Sequence, residues 1–511
     1  MSGTVHDLLA ASAARHPDKT AVFQGGRSAT FAEIDSLANR VARLLTQAGL
    51  DRQDRVVVIM GNSIESVGVY YGILKAGLIS VEIHEKSTPS EVSYFIQNAG
   101  ARACVLAEAP ASRLGGIEIP VLVSPAGPGS SRARTFVPWS ALDAVADERF
   151  EARVSSGDIA SIVYTSGSTG RPKGVVLTHG NIRSNTLAIV SYLGLQEDDR
   201  VMAILPFHYV YGKSLLNTHM AVGAQVVINN RFAFPNAVIR EMCERSVTGF
   251  AGVPSTFAIL MNRSVFPKTR IPSLRYVTQA GGAMAPALTR RLLDCLDGVD
   301  LYVMYGATEA SARLTYVPPD RLRRDKLGSI GIPIPGVEVT VRDDQGRELA
   351  PLEVGNICAQ GPNIMQGYWN DPEETSRALK PWGLVTGDLG YRDEEGFLFL
   401  TGRKKDMLKI GGERVSPKEI EDAIVESGMV HEAAVVGKPD QYLFEVPLAF
   451  VVPLDEKTFD LEALRSFVAG RLSPHKHPRH WTVAKTLPKK PSGKIDKEAL
   501  RHEALLEMRV A

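Results

Sequence analysis

Hydrophobic and polar positions repeat at helical spacing in the first strongly patterned segment of the chain. Apolar residues between positions 31 and 45 recur three and four positions apart, which is typical of one buried helix face. Thr30 and Glu33 form a capping-box pattern before the segment, and Gly49 follows it. The pattern therefore predicts a helix between Thr30 and Gly49.

Short apolar runs alternate with further helical stretches along most of the chain. Strands are predicted at 55–60, 78–83, 103–106, 159–163, 175–177, 201–205, 225–228, 249–253, 276–278 and 301–304, with helices at 62–75, 90–98 and 285–296. Strands that alternate with helices indicate parallel βαβ units. Residues 107–157 contain Pro, Gly, Ser and Arg with little periodicity, and we interpret them as a variable surface connection.

The pattern changes near residue 328, where short β-type runs and turns replace the alternation. A β-rich subdomain is predicted over about 328–402, and helices are predicted at 416–426 and 461–472. We therefore predict an α/β fold with a large N-terminal domain, residues 1–403, made of parallel βα layers and the β-rich subdomain. Residues 404–511 are predicted to form a small, mobile α+β C-terminal domain.

Composition agrees with such a protein. At 511 residues the chain is too long for one core, and 44% hydrophobic with 23% charged residues is typical of soluble globular proteins. A net charge of +1 gives no support for a nucleic acid or membrane surface as the main partner. The four cysteines lack CxxC spacing, so a metal centre and a disulfide framework are not expected. Because no signal-peptide or membrane-spanning pattern is visible, we expect a cytoplasmic protein.

The segment Tyr164–Gly174, with the sequence YTSGSTGRPKG, combines glycines, hydroxyl side chains and cations between two apolar runs. Glycines allow backbone N–H groups to approach an oxyanion, hydroxyls donate hydrogen bonds, and Lys173 adds a positive charge. A flexible linker would have a similar Gly/Ser content but rarely carries Lys and Arg between buried strands. The segment matches neither GxxxxGK[ST] nor GxGxxG. The first pattern is typical of P-loop NTPases and the second of dinucleotide-binding enzymes. The segment therefore indicates a site for a nucleotide triphosphate in a protein of neither class.

Polar groups also follow five other predicted strands or turns, and a sixth group lies near the chain end. They are Leu205–His208, Gln279–Ala283, Tyr305–Glu309, Thr386–Asp388, Thr401–Arg403 and Pro491–Asp496. Active-site residues of parallel α/β sheets collect where strands end. In this order, the motifs YTSGSTGRPKG, YGATE, TGD, TGRKKDMLKIGGERVSPKEIE and PSGK resemble those of the adenylate-forming superfamily, over about Thr20 to Leu500.

The resemblance implies a two-step reaction. A carboxylate is joined to the α-phosphate of ATP with release of pyrophosphate, and the acyl group then passes to a thiol. It implies these ATP- or AMP-binding residues: Thr165, Ser166, Gly167, Ser168, Thr169, Gly170, Lys173, Gly281, Gly282, Ala283, Tyr305, Asp388 and Arg403. Among them, residues 165–173 would hold the phosphates, residues 281–283 with Tyr305 would enclose adenine, and Asp388 with Arg403 would bind the ribose.

The resemblance also implies catalytic roles. Glu309 would hold Mg²⁺, Thr308 would contact the α-phosphate, and Lys494 would bridge the attacking carboxylate and that phosphate. His208 would lie beside the acyl pocket, although a core histidine explains it equally well.

A rotation of the small domain would serve the second step. The family pattern places the hinge at Lys405, and Gly411 with Gly412 would line the channel for the thiol arm of coenzyme A. Arg414 would contact phosphates in that arrangement.

The identity of the acid is the weakest part of the prediction. Amino-acid-activating relatives usually carry an aspartate at the position of His208, so a free α-amino acid is disfavoured. The candidate pocket walls are Tyr209, Tyr211, Gly212, Lys213, Val253, Ser255 and Ala280. Because most of these are apolar or small, a fatty or other hydrophobic acid is predicted. We interpret Lys213 as a surface lysine, and the alternative is a cation that faces a polar or carboxylate group of the substrate.

Two further functions stay open. The acyl acceptor is expected to be coenzyme A, and the alternative is the phosphopantetheine of a free-standing carrier protein. A catalytically inactive nucleotide-binding regulator is a more distant alternative, which the presence of Lys494, Glu309 and Asp388 disfavours.

Overall fold

The computed structural model describes residues 3–107, 116–125, 132–151, 153–165, 172–410, 413–440, 442–489 and 494–510. Its helices are α1 (His6–Arg15), α2 (Phe31–Gln47), α3 (Ile64–Lys75), α4 (Pro89–Ala99), α5 (His179–Leu193), α6 (Val210–Val222), α7 (Pro235–Glu244), α8 (Pro254–Arg263), α9 (Pro286–Cys295), α10 (Pro319–Arg324), α11 (Pro372–Ala378), α12 (Pro417–Glu426), α13 (Leu461–Ala469) and α14 (Lys497–Val510). Short 3₁₀ turns lie at Trp139–Ala144, Phe266–Lys268, Thr308–Ala310 and Pro474–Lys476.

The strands alternate with these helices through most of the chain and then become consecutive. They are β1 (Thr20–Gln24), β2 (Arg27–Thr30), β3 (Arg55–Ile59), β4 (Ile79–Glu82), β5 (Ala103–Leu106), β6 (Glu118–Ser124), β7 (Arg132–Pro138), β8 (Ile159–Thr165), β9 (Lys173–Thr178), β10 (Arg200–Ala203), β11 (Gln225–Ile228), β12 (Gly249–Gly252), β13 (Tyr276–Gln279), β14 (Asp300–Tyr305), β15 (Thr315–Tyr316), β16 (Ile332–Pro333), β17 (Glu338–Arg342), β18 (Gly355–Gln360), β19 (Gly367–Tyr368), β20 (Leu379–Lys380), β21 (Gly383–Arg392), β22 (Leu398–Arg403), β23 (Leu408–Ile410), β24 (Glu413–Val415), β25 (Val430–Asp440), β26 (Phe444–Pro453) and β27 (His480–Val483).

Two large sheets form the body of the N-terminal domain within the described residues. One has nine strands in the order β16-β15-β14-β13-β12-β10-β11-β1-β2, and the other has eight in the order β19-β9-β8-β4-β3-β5-β6-β7. The neighbours β11, β10, β12, β13 and β14 are parallel, as the alternation predicts. Their carboxyl ends therefore lie at one edge of the nine-stranded sheet.

The first predicted helix is confirmed as α2. The hydroxyl oxygen of Thr30 accepts a hydrogen bond of 3.1 Å from the Glu33 backbone, and the Glu33 carboxylate accepts one of 2.7 Å from the Thr30 backbone. These bonds satisfy two donors that a helix start leaves unpaired. The buried face includes Phe31 and Ile34, both fully buried, so that local capping and packing favour the same helix.

The prediction of an irregular surface connection over residues 107–157 is wrong for part of that stretch. Strands β6 and β7 extend the eight-stranded sheet in parallel beyond β5. The apolar positions Ile119 and Val121–Val123 of β6 are buried, but Pro120 interrupts them and Gly- and Ser-rich flanks surround them. The sequence of β6 therefore lacks the continuous apolar run that predicts a strand.

Two smaller sheets follow. β17, β18, β20, β21 and β22 form a five-stranded sheet inside the stretch predicted to be β-rich, and β23–β27 form another. Arg403 ends β22 and Leu408 begins β23, so the residues between them connect the two sheets. The fold is thus mixed α/β, with a large N-terminal domain and a smaller C-terminal domain. Among the described residues, no helix combines the length and apolar character needed to cross a bilayer.

Candidate active site

The loops after β10, β12, β13 and β14 meet at one edge of the nine-stranded sheet because these strands are parallel neighbours. They carry His208, Val253, residues 280–283, and the segment from Tyr305 to Glu309, respectively. The sheet therefore brings together three of the polar segments that the sequence singles out and the predicted pocket residue Val253, as expected for the carboxyl ends of parallel strands.

Two glycines allow these loops to turn tightly. Gly281 has φ +85°, in the left-handed region that side chains disfavour. A Cβ at Gly306 would lie 1.9 Å from the carbonyl oxygen of Ala312, so no side chain fits there. Gly306 thus lets the chain fold back directly before the 3₁₀ turn that carries Thr308 and Glu309.

Asp388 lies at the centre of one polar cluster. Its Oδ2 accepts a hydrogen bond of 2.7 Å from the Tyr305 hydroxyl, and its Oδ1 lies 2.9 Å from Nε of Arg403. Asp388 and Arg403 face each other in register on β21 and β22. Burial and the neighbouring Asp388 charge raise the pKa of Tyr305, and that charge also raises the pKa of Arg403. The structure thus joins three of the predicted nucleotide-binding residues.

A second cluster links Glu309 to Lys173. Oε1 of Glu309 accepts a hydrogen bond of 2.8 Å from the Tyr368 hydroxyl, and the Lys173 ammonium lies 5.4 Å from the centre of the Tyr368 ring. Lys173 also forms an ion pair with Glu374 on α11, and that hydrogen-bonded pairing lowers the pKa of Glu374. Burial, together with Glu309, raises the pKa of Tyr368.

The predicted phosphate-binding segment lies between β8 and β9. Thr165 ends β8 and pairs with Lys173, which begins β9. The predicted residues Ser166, Gly167, Ser168, Thr169 and Gly170 lie outside the described residues. Of the segment, the structure thus describes the two ends, Thr165 and Lys173, as neighbours on β8 and β9.

The His208 side chain is half-buried among other rings. Its ring centre lies 4.9 Å from that of His84 and 4.1 Å from that of Tyr209. Its Nε2 has no hydrogen-bond partner among the described residues. Burial, assisted by the charges of His84 and Lys213, lowers the pKa of His208 to about 3. His208 is therefore a neutral imidazole at pH 7, with one nitrogen able to accept or donate a hydrogen bond.

The interpretation of Lys213 as a surface lysine is wrong. Its ammonium lies 2.6 Å from Oε1 of Glu82 and 3.7 Å from the centre of the Tyr70 ring, and its side chain is 14% exposed. Burial lowers the pKa of Lys213, and the Glu82 carboxylate opposes that effect. The pair borders a cavity of about 30 Å³ that His208 and Tyr209 also line. Such a cavity is large enough to hold water.

The other predicted pocket residues fall into two groups. Tyr211 and Ala280 are buried, and the Tyr211 hydroxyl lies 3.0 Å from Thr278. A Cβ at Gly212 would lie 2.1 Å from the Pro206 carbonyl oxygen, so Gly212 allows α6 to pack on that loop. Val253 and Ser255 are half-buried at the start of α8. None of these five residues lines the cavity beside Lys213, so the structure does not gather the predicted set around one described cavity.

The predicted hinge residue, Lys405, contacts the last helix, α14. The Lys405 ammonium lies 3.7 Å from Glu498 on α14. Lys494 is exposed and directly precedes Ile495. Gly411 and Gly412 lie outside the described residues, as does the side chain of Arg414. The roles proposed for the hinge, the thiol channel and Lys494 remain predictions.

Known sequence families cover both domains. The family model for AMP-binding enzymes matches residues 9–369, and the model for the C-terminal domain of AMP-binding enzymes matches residues 419–494. The chain belongs to the family of AMP-binding enzymes. The resemblance to the adenylate-forming superfamily is thereby confirmed.

Individual relatives narrow the class of this AMP-binding enzyme. It is similar to the long-chain-fatty-acid–CoA ligase of Bacillus subtilis (strain 168), with 32% identity over 98% of this chain and 94% of that protein. It is also 32% identical to the 2-succinylbenzoate–CoA ligase of Geobacillus kaustophilus (strain HTA426), over 95% of both chains. Among solved structures, the anthranilate CoA ligase AuaEII in complex with anthranoyl-AMP aligns with a TM-score of 0.90 and 27% identity, over 99% of this chain and 98% of that one. The chain is accordingly an AMP-forming acid–thiol ligase of the acyl-CoA synthetase type.

Sequence reasoning missed three residues that contact the predicted site of this AMP-binding enzyme. They are Glu82, Tyr368 and Glu374. Glu374 is separated from Lys173 by 201 positions, and Glu82 from Lys213 by 131. A pattern within one segment cannot reveal such pairs. Tyr368 comes close to Lys173 because β19, which carries it, pairs with β9 at Val175.

Proposed function

We propose that this enzyme activates a carboxylic acid with ATP and then transfers the acyl group to the thiol of coenzyme A. One arrangement carries the proposal. Asp388 is held by Tyr305 and Arg403, while Glu309, four residues after Tyr305, connects through Tyr368 to Lys173. Anion-binding and cation-binding groups from three sheets are thus linked through Tyr305 and the turn that follows it, as an ATP molecule with its metal ion requires.

The first step would join the acid to the nucleotide. A carboxylate oxygen attacks the α-phosphorus of ATP, and the bond between that phosphorus and the bridging oxygen to the β-phosphate breaks. Lys173 and the hydroxyls of residues 165–169 would neutralise the departing pyrophosphate, and Thr308 would bind the α-phosphate. Lys494 would draw the carboxylate and the α-phosphate together.

Mg²⁺ fits the carboxylate of Glu309. Magnesium sites commonly use one or two protein carboxylates and complete the shell with phosphate oxygens and water. The hydrogen bond from Tyr368 to Oε1 holds the Glu309 side chain in place at 2.8 Å. When bound, Mg²⁺ would neutralise charge on the phosphates, and Glu309 would hold it.

The nucleoside would bind beside the Asp388 cluster. Residues 281–283 and Tyr305 would enclose adenine, and Asp388 with Arg403 would bind the ribose hydroxyls. Because both Asp388 oxygens accept hydrogen bonds or ion pairs, the carboxylate orientation is fixed before the nucleotide arrives. This arrangement supports tight positioning of the sugar.

The second step would use the same acyl-adenylate after rotation about Lys405. The thiol sulfur attacks the acyl carbon, the thiol proton is lost, and AMP leaves with both electrons of the acyl–oxygen bond. Gly411, Gly412 and Arg414 would contact the incoming arm. Coenzyme A is supported as acceptor because both curated relatives are named as CoA ligases.

The acid remains the open part of the proposal. The relatives are named for a long-chain fatty acid and for 2-succinylbenzoate, which differ in shape and charge. The sequence favours a hydrophobic acid, whereas the cavity beside His208 carries the polar Lys213–Glu82 pair. We retain the hydrophobic acid as the prediction to be tested.

The deciding experiment is acid-dependent ATP–pyrophosphate exchange with fatty, aromatic, dicarboxylic and amino acids, each with Mg²⁺. We expect exchange with a hydrophobic acid, and formation of its soluble acyl-CoA when coenzyme A is added. Exchange without acyl-CoA, together with acylation of a phosphopantetheinylated carrier protein, would favour the acyl-AMP ligase. A complete lack of exchange across the panel would favour the inactive regulator.

A further inference from the structure

The chain segments on both sides of Lys494 are held together at their base. Ile495 forms an antiparallel bridge with Lys489, and the Asp496 backbone N–H donates a hydrogen bond of 2.8 Å to the Pro488 carbonyl. Ile495 also packs against the buried core of the C-terminal sheet. The backbone is therefore anchored from one residue after Lys494 onwards.

The helix that follows is anchored as well. Oδ1 of Asp496 accepts hydrogen bonds from the backbone N–H groups of Glu498, at 3.1 Å, and Ala499, at 3.3 Å. These contacts cap the start of α14. Leu500 and Ala504 of the same helix are buried against the sheet. The cap and the apolar packing therefore fix where the helix lies.

An ion pair also holds the first turn of α14. The Lys497 ammonium lies 2.6 Å from Oε1 of Glu421 on α12, and the two side chains are only 23% and 18% exposed. The same Glu421 oxygen accepts a hydrogen bond of 2.7 Å from the Val435 backbone on β25. Burial raises the pKa of Glu421, and the charge of Lys497 opposes that effect. Lys497 thus connects the start of α14 to both a helix and a strand of the C-terminal domain.

A second ion pair reaches the hinge. Nη2 of Arg501 lies 2.6 Å from Oδ1 of Asp406, one residue after Lys405. One helical turn separates Arg501 from Lys497, so both cations project from the same face of α14. The two ion pairs therefore fix the rotation of α14 about its own axis.

We propose that Lys497 is a positioning residue for Lys494, because its ion pair with Glu421 holds the start of α14 and with it the backbone that carries Lys494 three residues earlier. The inference rests on the proposed function, in which Lys494 acts in acyl-adenylate formation and is dispensable for thiol transfer. A displacement of about 1 Å can cost a rate factor of about a hundred when a catalytic group must align with reacting atoms. Loss of the ion pair should therefore impair the first half-reaction selectively.

The test compares the two half-reactions in the full-length protein. In Lys497→Met, we expect ATP–pyrophosphate exchange to fall by about tenfold or more. Consumption of a supplied acyl-adenylate by coenzyme A should stay within about twofold of the unchanged protein, since binding and transfer do not use Lys494. Lys497→Arg keeps the cation and should restore exchange.

Two further variants guard against a simple folding defect. The double variant Glu421→Gln with Lys497→Met leaves no unpaired buried charge, and we expect it to keep its Tm yet remain slow in exchange. Lys418→Met removes another ion pair of α12, to Asp422, and should leave both half-reactions unchanged. Equal loss of both half-reactions in the double variant, or unchanged exchange in Lys497→Met, would overturn the positioning role. If the unchanged protein shows no exchange with any acid, the proposed function fails instead.

Discussion

The hydroxyl of Tyr305 lies 2.7 Å from Oδ2 of Asp388, although the two residues belong to different sheets and lie 83 positions apart. Tyr305 ends β14 of the nine-stranded sheet, and Asp388 lies on β21 of the next sheet. Both residues are buried, so the hydrogen bond is shielded from water. It therefore joins the proposed adenine-binding edge to the proposed ribose-binding carboxylate.

Tyr305→Phe should weaken nucleotide binding by loosening Asp388. The ring is retained, but Oδ2 loses its donor, which typically costs about 1 kcal/mol. We expect KM for ATP to rise by about fivefold, with KM for the acid nearly unchanged. Initial rates at varied ATP measure this, and Tyr302→Phe on the same strand is the control. An equal rise in both KM values would contradict a local effect on the nucleotide.

Glu374 competes with phosphate for Lys173. Because the two side chains form an ion pair, the ammonium would have to leave or share Glu374 to bind the pyrophosphate group in the proposed role. Glu374→Gln removes the competing charge, and we expect KM for ATP to fall severalfold. Glu373→Gln is a matched control, since that exposed neighbour forms an ion pair with Arg377, as Glu374 does in addition to its pair with Lys173. A higher KM in Glu374→Gln would mean that Glu374 orients Lys173 rather than competing for it.

The Lys213–Glu82 pair should matter for stability more than for substrate charge. Removing one member leaves the other buried without its partner, which costs about 3 kcal/mol or more. We expect Lys213→Met to lower the free energy of unfolding by about that amount, and Lys213→Met with Glu82→Gln to recover most of it. Urea unfolding measures both.

The same variants test the alternative role of Lys213 in substrate recognition. Because the ammonium is already paired with a carboxylate at 2.6 Å, we expect no change in preference between a monoacid and its dicarboxylate. A selective loss of dicarboxylate activity in Lys213→Met would show that the lysine faces the substrate.

Some of these features were readable from the sequence, and others depend on distant contacts. Helix α2 is predictable because its cap and its apolar spacing lie within one segment. The polar segments after β10, β13 and β14 are predictable because alternating strands and helices indicate parallel strands, whose carboxyl ends share one edge. The burial of Lys213 is not predictable from the sequence. Its partner Glu82 lies on β4, 131 positions away, and only the fold brings the two side chains together. Strand β6 was not predicted for a different reason, because Pro120 interrupts its apolar run.

Buried histidines should make the fold sensitive to acid. Burial lowers the pKa of His179 to about 3 and that of His219 to about 4, against an unfolded value of 6.5. Below pH 6.5 the unfolded chain binds protons that the folded protein does not, so stability falls as the pH drops towards the folded values. Each such histidine contributes a slope of about 1.4 kcal/mol per pH unit within this window.

Urea unfolding between pH 7.5 and 5 checks this dependence. Nε2 of His219 lies 2.9 Å from the Tyr276 hydroxyl, so His219→Gln keeps a polar group in that place. We expect the variant to be less stable at pH 7.5 but to lose less stability on acidification. Replacement of the exposed His475 is the control, and an unchanged slope in His219→Gln would contradict the assignment.

Lys494→Ala and Lys405→Pro should separate the two half-reactions in opposite directions. In the proposed mechanism, Lys494 acts only while negative charge develops between the acid and the α-phosphate, so its loss should reduce ATP–pyrophosphate exchange by about a hundredfold or more. Transfer from a supplied acyl-adenylate to coenzyme A should persist.

Proline at position 405 fixes φ and restricts Lys404, which should block rotation of the C-terminal domain. Lys405→Pro should therefore retain exchange and lose transfer, whereas Lys405→Ala, which removes only the contact with Glu498 at 3.7 Å, should retain both. If Lys494→Ala and Lys405→Pro lose both steps equally, the two steps do not depend on two domain orientations.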